Sequence, residues 1–213
     1  MLAVLAAVAF AGFCRPSEVL NLRWRHVEFC DSHATITLER RKNMIYRESK
    51  ERISLQPTSP CCPATLLRWW RDIRFGAQHM GRPVFPKFDG RLWAQGESRV
   101  QLATEDPLPY DRLRFWMTRL LAPLHNMSEA DFLKKFGMKS FRSGGATAAG
   151  IANIPFEVWG SHGGWQSRES QMRYLEISLE QALQVTATVT TILDTANTLP
   201  DESSEEDMAP DAI

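Results

Sequence analysis

Residues 2–14 contain no charged, amide or hydroxyl side chain. A helix that is apolar on every face has to be surrounded, so the rest of such a chain must pack around it. The run lacks the basic residues that precede the apolar core of a signal peptide. It is too short to span a bilayer, and it continues directly into Arg15, Pro16 and Glu18. The expectation is therefore a buried first helix, Leu2–Gly12, inside one ordinary domain of a 213-residue chain.

What surrounds it is mostly helical in pattern. Pro16 suits the first turn of a short helix over Ser17–Trp24, with Val19, Leu20 and Leu22 turned inward. Ala34-Thr-Ile-Thr-Leu38 alternates and is β-branched, and Arg52-Ile-Ser-Leu55 alternates likewise. Together they predict an antiparallel hairpin whose long turn is the basic stretch Arg40–Lys50. Pro63–Phe75 is an amphipathic helix in which both Trp69 and Trp70 are expected in the core. Residues 76–108, rich in Gly, Pro and polar residues, read as loop. Tyr110–Leu124 carries Leu113, Trp116, Met117, Leu120 and Leu121 at helical spacing. Further helices are expected at 128–136, 142–153, 155–161, 167–176 and 178–194. The predicted class is mainly α with a small antiparallel β-sheet (α+β). It spans residues 1–194 as one domain, with 195–213 an acidic disordered tail.

The formal charge is zero, but it is unevenly placed. Six acids lie in residues 201–213, which leaves 19 acids against 25 bases, or +6, for residues 1–200. A mildly basic body with a separate acidic tail is compatible with a nucleic-acid partner. Cys14, Cys30, Cys61 and Cys62 include no spaced pair of the kind that chelates zinc, and they are expected to be reduced thiols. No P-loop or acidic metal cluster stands in the ordered part of the chain, so neither cofactor nor metal is expected.

The informative residues are polar ones in apolar settings: Arg15, Lys42, Lys139, Arg142, Trp165 and Tyr174. Each alone has an ordinary structural explanation. An arginine near a helix start pairs with a carboxylate such as Glu18, a turn lysine is solvated, and a tryptophan after glycines packs in a core.

As an ordered set they resemble the tyrosine recombinase (phage integrase) family. Gly12-Phe-Cys-Arg15-Pro-Ser-Glu18-Val-Leu-Asn-Leu22 is similar to that family's first box, Gly-Leu-Arg-x-x-Glu, with one residue inserted after the glycine. Lys42 in Leu38-Glu-Arg-Arg-Lys42 matches the hairpin lysine, with Lys50 a rival. Lys139-Ser-Phe-Arg142 matches His-or-Lys-x-x-Arg, with lysine where histidine is commoner. Gly163-Gly-Trp165-Gln-Ser167 resembles the tryptophan version of the following box, in the style of eukaryotic mobile-element recombinases. Tyr174 follows Trp165 by nine residues, and Trp165 follows Arg142 by 23.

The resemblance implies DNA cleavage and rejoining through a covalent 3′-phosphotyrosine. Tyr174 is then the nucleophile, Arg15 and Arg142 the charge clamp on the phosphate, and Lys42 or Lys50 the general acid on the 5′-oxygen. Lys139 would be a phosphate contact or proton-transfer group, Trp165 an N–H donor packed on the helix of Tyr174, and Glu18 the partner that orients Arg15. The implied partner is double-stranded DNA, bound as a homo-oligomer (tetramer), with no membrane. The implied location is the nucleus in a eukaryote and the cytoplasm or nucleoid otherwise. The usual N-terminal core-binding domain is expected to be absent. Two other functions are open. One is a type IB topoisomerase, although Ser170-Gln-Met-Arg-Tyr174 lacks that family's lysine. The other is a non-catalytic DNA-binding domain derived from a recombinase.

Overall fold

The structure is a computed structural model that describes residues 1–39, 49–54, 59–74, 80–88 and 102–174. Lys42, the expected helix at 178–194 and the tail at 195–213 lie outside the described residues.

Helix α1 (Leu2–Ala11) lines the core but, contrary to the expectation from its composition, is not surrounded on every side, since Ala3 and Phe10 are exposed. Val4, Leu5, Val8 and Ala9 are buried in a core shared with Val19 and Leu20 of α2 (Pro16–Leu20), Leu67 and Trp70 of α3 (Pro63–Arg74), and Leu113 and Met117 of α4 (Tyr110–Leu124). On another side α1 meets α6 (Ser140–Ile151), whose glycines allow close approach. A Cβ on Gly145 would collide with the Phe10 carbonyl and lie 2.6 Å from Phe13 Cδ1. Short helices α5 (Glu129–Lys135), α7 (Phe156–Gly163) and α8 (Arg168–Met172) complete the described order.

One sheet is a meander of β1 (Val27–Phe29), β2 (His33–Leu38) and β3 (Ser49–Ser54), all antiparallel. The β2–β3 register pairs Ala34 with Ile53, Ile36 with Glu51 and Thr37 with Lys50. The predicted hairpin is present, its second strand beginning at Ser49 rather than Arg52. Ile36, Leu38 and Ile53 carry its apolar face into the core around α1.

Three further expectations are corrected. Residues 76–108 are not all loop, because β4 (Pro86–Phe88) and β5 (Leu102–Pro107) pair antiparallel. The second helix stops at Leu20, and Trp24–His26 forms a separate 3₁₀ turn that leads into β1. The two neighbouring tryptophans part company. Trp70 is buried with its indole N–H on the Val84 carbonyl at 2.8 Å, while Trp69 is 54% exposed on the outer face of α3. About 100° of helical rotation separates adjacent residues, and the buried stripe of α3, which holds Leu67 and Trp70, leaves Trp69 outside it.

Candidate functional site

The turn that joins α1 to α2 is where the first candidate sits. Phe13 adopts the left-handed conformation (φ 46°). An L-residue with a side chain avoids this region, and for a non-glycine residue the cost is about 1–3 kcal/mol. The turn reverses the chain so that Cys14 N–H returns to the Ala9 carbonyl at 2.9 Å. Arg15 then caps α2. Its backbone N–H donates to Glu18 Oε2 (2.6 Å) and its Nη1 to Glu18 Oε1 (2.7 Å), so the buried carboxylate orients both ends of the residue. The Arg15 side chain keeps 24% of its surface exposed and presents a cation to solvent.

Arg142 reaches the same turn from α6. It is 1% exposed. Nη1 donates to the Phe13 carbonyl, 129 residues away in sequence, and Nη2 to the Gly163 carbonyl at 2.8 Å. The guanidinium carbon lies 3.9 Å from the centre of the Trp165 ring and 5.2 Å from that of Tyr174. A planar cation lying over aromatic rings gains cation–π attraction, which is strongest when desolvated. One arginine thus joins the α1–α2 turn, the end of α7 and both aromatic candidates.

Trp165 follows the end of α7, where Gly164 takes the left-handed cap (φ 65°) and turns the chain. The Trp165 ring lies over Gly163 so closely that a Cβ there would overlap it. Its edge-on neighbour Trp159 is 5.5 Å away at 86°, and the Tyr174 ring lies 5.2 Å away. The Trp165 indole N–H is buried without a hydrogen-bond partner among the described residues. A buried donor left unmet is costly. Tyr174 closes the group just beyond α8, half-buried, its carbonyl receiving the Thr147 hydroxyl at 3.4 Å.

Arg142, Trp165 and Tyr174 are therefore gathered into one cluster with Phe13, Ala146, Ala149 and Trp159, and Arg15 is two residues from the carbonyl that Arg142 grips. Lys139 is exposed at the start of α6, one turn before Arg142. Lys50 lies in β3, opposite Thr37.

His162 belongs to this neighbourhood and was not among the expected residues. Its Nε2–H donates to the Ala11 carbonyl at 2.8 Å, and its ring stands edge-on to Phe13 at 4.8 Å. The sequence signal was its position three residues before Trp165, immediately ahead of the glycine box. Among the described residues no three His, Cys, Asp or Glu side chains are grouped so as to hold a metal ion, and no helix is long and apolar enough to cross a membrane.

No protein-family model and no curated protein matches this chain. Solved structures do. The XerH site-specific recombinase bound to palindromic difH substrate, in its post-cleavage complex, aligns with a TM-score of 0.56 at 14% identity, over 87% of this chain and 44% of that one. Its pre-cleavage complex with difH aligns at 0.53 and 14%, over 86% and 45%. The Tn1549 transposon integrase (residues 82–397) with circular intermediate DNA aligns at 0.53 and 13%, over 86% and 56%. The chain thus spans about half the length of the structures it matches. At these identities the likeness is one of fold.

Proposed function

We propose that this chain, whose fold is that of tyrosine recombinase catalytic domains, cleaves and rejoins DNA strands through a covalent 3′-phosphotyrosine on Tyr174. The observation that carries the reading is the convergence of Arg142, Trp165 and Tyr174, with the Arg15 turn gripped by the same guanidinium.

In this reaction the Tyr174 oxygen attacks the scissile phosphorus, its proton passing to solvent, and Lys139 offers the phosphate a positive charge. The bond from phosphorus to the 5′-oxygen breaks, and that oxygen takes a proton from a hairpin lysine, Lys42 or its rival Lys50. A 5′-hydroxyl attacking the phosphotyrosine reverses the step. The ester bond is exchanged rather than hydrolysed, so no external energy source is needed. Negative charge that builds on the non-bridging oxygens is met by Arg15 and Arg142 and by the Trp165 N–H. At 1% exposure Arg142 is reached by a phosphate only after its cover shifts. Duplex DNA as substrate and assembly on it as a tetramer belong to the same proposal.

A second reading is favoured by one feature. The two Arg142 nitrogens committed to main-chain carbonyls are what a purely structural brace would show, as in a recombinase-derived DNA-binding domain without chemistry. Incubation with a nicked suicide duplex, followed by denaturation, separates the two. A protein–DNA adduct that disappears in Tyr174→Phe is expected. DNA binding without an adduct supports the second reading, and an adduct that survives Tyr174→Phe rejects the nucleophile.

A further inference from the structure

Helix α8, five residues long, ends two residues before Tyr174. A helix of little more than one turn does not hold itself in water, so its place is set by what it packs on. Arg168, Glu169 and Met172 are exposed, and the one buried side chain in the helix is the polar Gln171, at 4% exposure. Its Nε2 donates to the Phe156 carbonyl at the start of α7, 2.5 Å away. Its amide fills the space above Gly160, where a Cβ would lie 2.5–2.7 Å from Nε2, Oε1 and Cδ. Its own carbonyl receives the Tyr174 N–H at 3.0 Å. One residue thus ties α7 by its side chain and Tyr174 by its main chain.

The surrounding contacts close the same loop. The Phe156 ring is edge-on to Trp159 at 4.8 Å and is covered by the Arg168 guanidinium at 5.0 Å. Trp159 meets Trp165, and Trp165 meets Tyr174. Aromatic packing is tolerant of sliding, whereas an N–H aimed at one carbonyl is not. The amide is what selects a single seat for α8.

We infer that Gln171 is the positioning residue for Tyr174, an amide clamp between α8 and the first residue of α7. The inference rests on Tyr174 being the nucleophile. Gln171 touches no substrate in this role. It acts by holding the helix from which Tyr174 projects, and misplacement of a reacting group by about 1 Å costs roughly 100-fold in rate.

The test uses Gln171→Glu and Gln171→Met in the full chain. Glutamate has the shape of glutamine but, when ionised, cannot donate to a carbonyl. Protonated, it can, and burial favours the protonated form. At pH values where that glutamate is ionised, Gln171→Glu should exchange the α8 and Tyr174 amide protons faster than wild type. It should form the nicked-DNA adduct roughly 100-fold more slowly with unchanged DNA affinity. On acidification both should return toward wild type, giving an acid-favoured rate profile that wild type lacks. Gln171→Met should be slow at every pH. Unchanged amide exchange in Gln171→Met overturns the clamp alone. Faster exchange with an unchanged adduct rate overturns the positioning role, as does an equal loss of DNA affinity and rate. A wild-type protein that forms no adduct overturns the positioning role together with the function.

Discussion

Replacing Arg142 by alanine should unfold this protein more readily as well as silence it. The substitution strips the Phe13 and Gly163 carbonyls of their donors in a site with almost no solvent contact. A buried acceptor left unmet costs about 1–3 kcal/mol, so the pair accounts for about 2–6 kcal/mol. The lost stacking of the guanidinium on Trp165, 3.9 Å away, adds about 1–2 kcal/mol. Two effects oppose this. The burial cost of the guanidinium, several kcal/mol, is returned, and water entering the vacated space re-solvates the carbonyls. The balance we expect is a destabilisation of about 2–4 kcal/mol, a large part of the 5–15 kcal/mol typical of a domain. In urea at near-neutral pH the midpoint should fall by about 1–2 M with little change in slope. Arg142→Lys should recover part of this, since an ammonium keeps the charge but not the two-pronged geometry. Tyr174→Phe should leave the midpoint nearly unmoved while abolishing the adduct. If Arg142→Ala moves stability by less than about 0.5 kcal/mol, the brace is not what holds the α1–α2 turn to α7, and the argument fails.

Gly145→Ala should cost about 1–3 kcal/mol by forcing α6 away from Phe10 and Phe13, and an unchanged thermal midpoint would reject that close approach. The Glu39 carboxyl is held below its ordinary value, first by the hydrogen bond from His26 Nε2–H (2.8 Å) and then by the charges of His26 and Arg25. Its folded-state value is depressed, so its stabilising effect is full above the unfolded value and lost as pH falls through the folded one. Urea midpoints of wild type and Glu39→Gln should therefore converge on acidification through the carboxylate range, and parallel profiles would refute the pairing. For the general acid, a bridging 5′-phosphorothiolate should restore cleavage to Lys42→Ala but not to Arg142→Ala, because a thiolate leaves unprotonated. Rescue of Lys50→Ala instead would move the role to Lys50.

Much of the framework was written along the chain. The uncharged run of α1, the alternation of Ala34–Leu38 and the helical spacing of Leu113, Trp116 and Met117 each announced burial. Val4, Leu5, Val8, Ala9, Ile36, Leu38 and those three residues of α4 are buried, whereas Phe10 of α1 is 42% exposed. Local periodicity suffices there because one apolar face needs only some partner, not a particular one. It failed where pairing itself makes the element. Leu102-Ala-Thr-Glu-Asp-Pro107 has little strand character of its own, and it becomes β5 through its ladder with β4. Leu120, at the same helical spacing as Leu113 and Met117, is 37% exposed, because the width of the buried stripe on α4 depends on which neighbours cover it.

The candidate residues were legible as an ordered set of types and spacings, but not the arrangement that joins them. That arrangement runs through main-chain carbonyls: Phe13 and Gly163 for Arg142, Ala11 for His162, Phe156 for Gln171. Every residue carries a carbonyl, so a sequence holds no mark of which one will be gripped. Only the folded path of α1, α6 and α7 brings these acceptors within reach of side chains up to 151 positions away. The left-handed turn at Phe13 is of the same kind, since nothing in phenylalanine favours it and the packing around Arg142 and His162 imposes it.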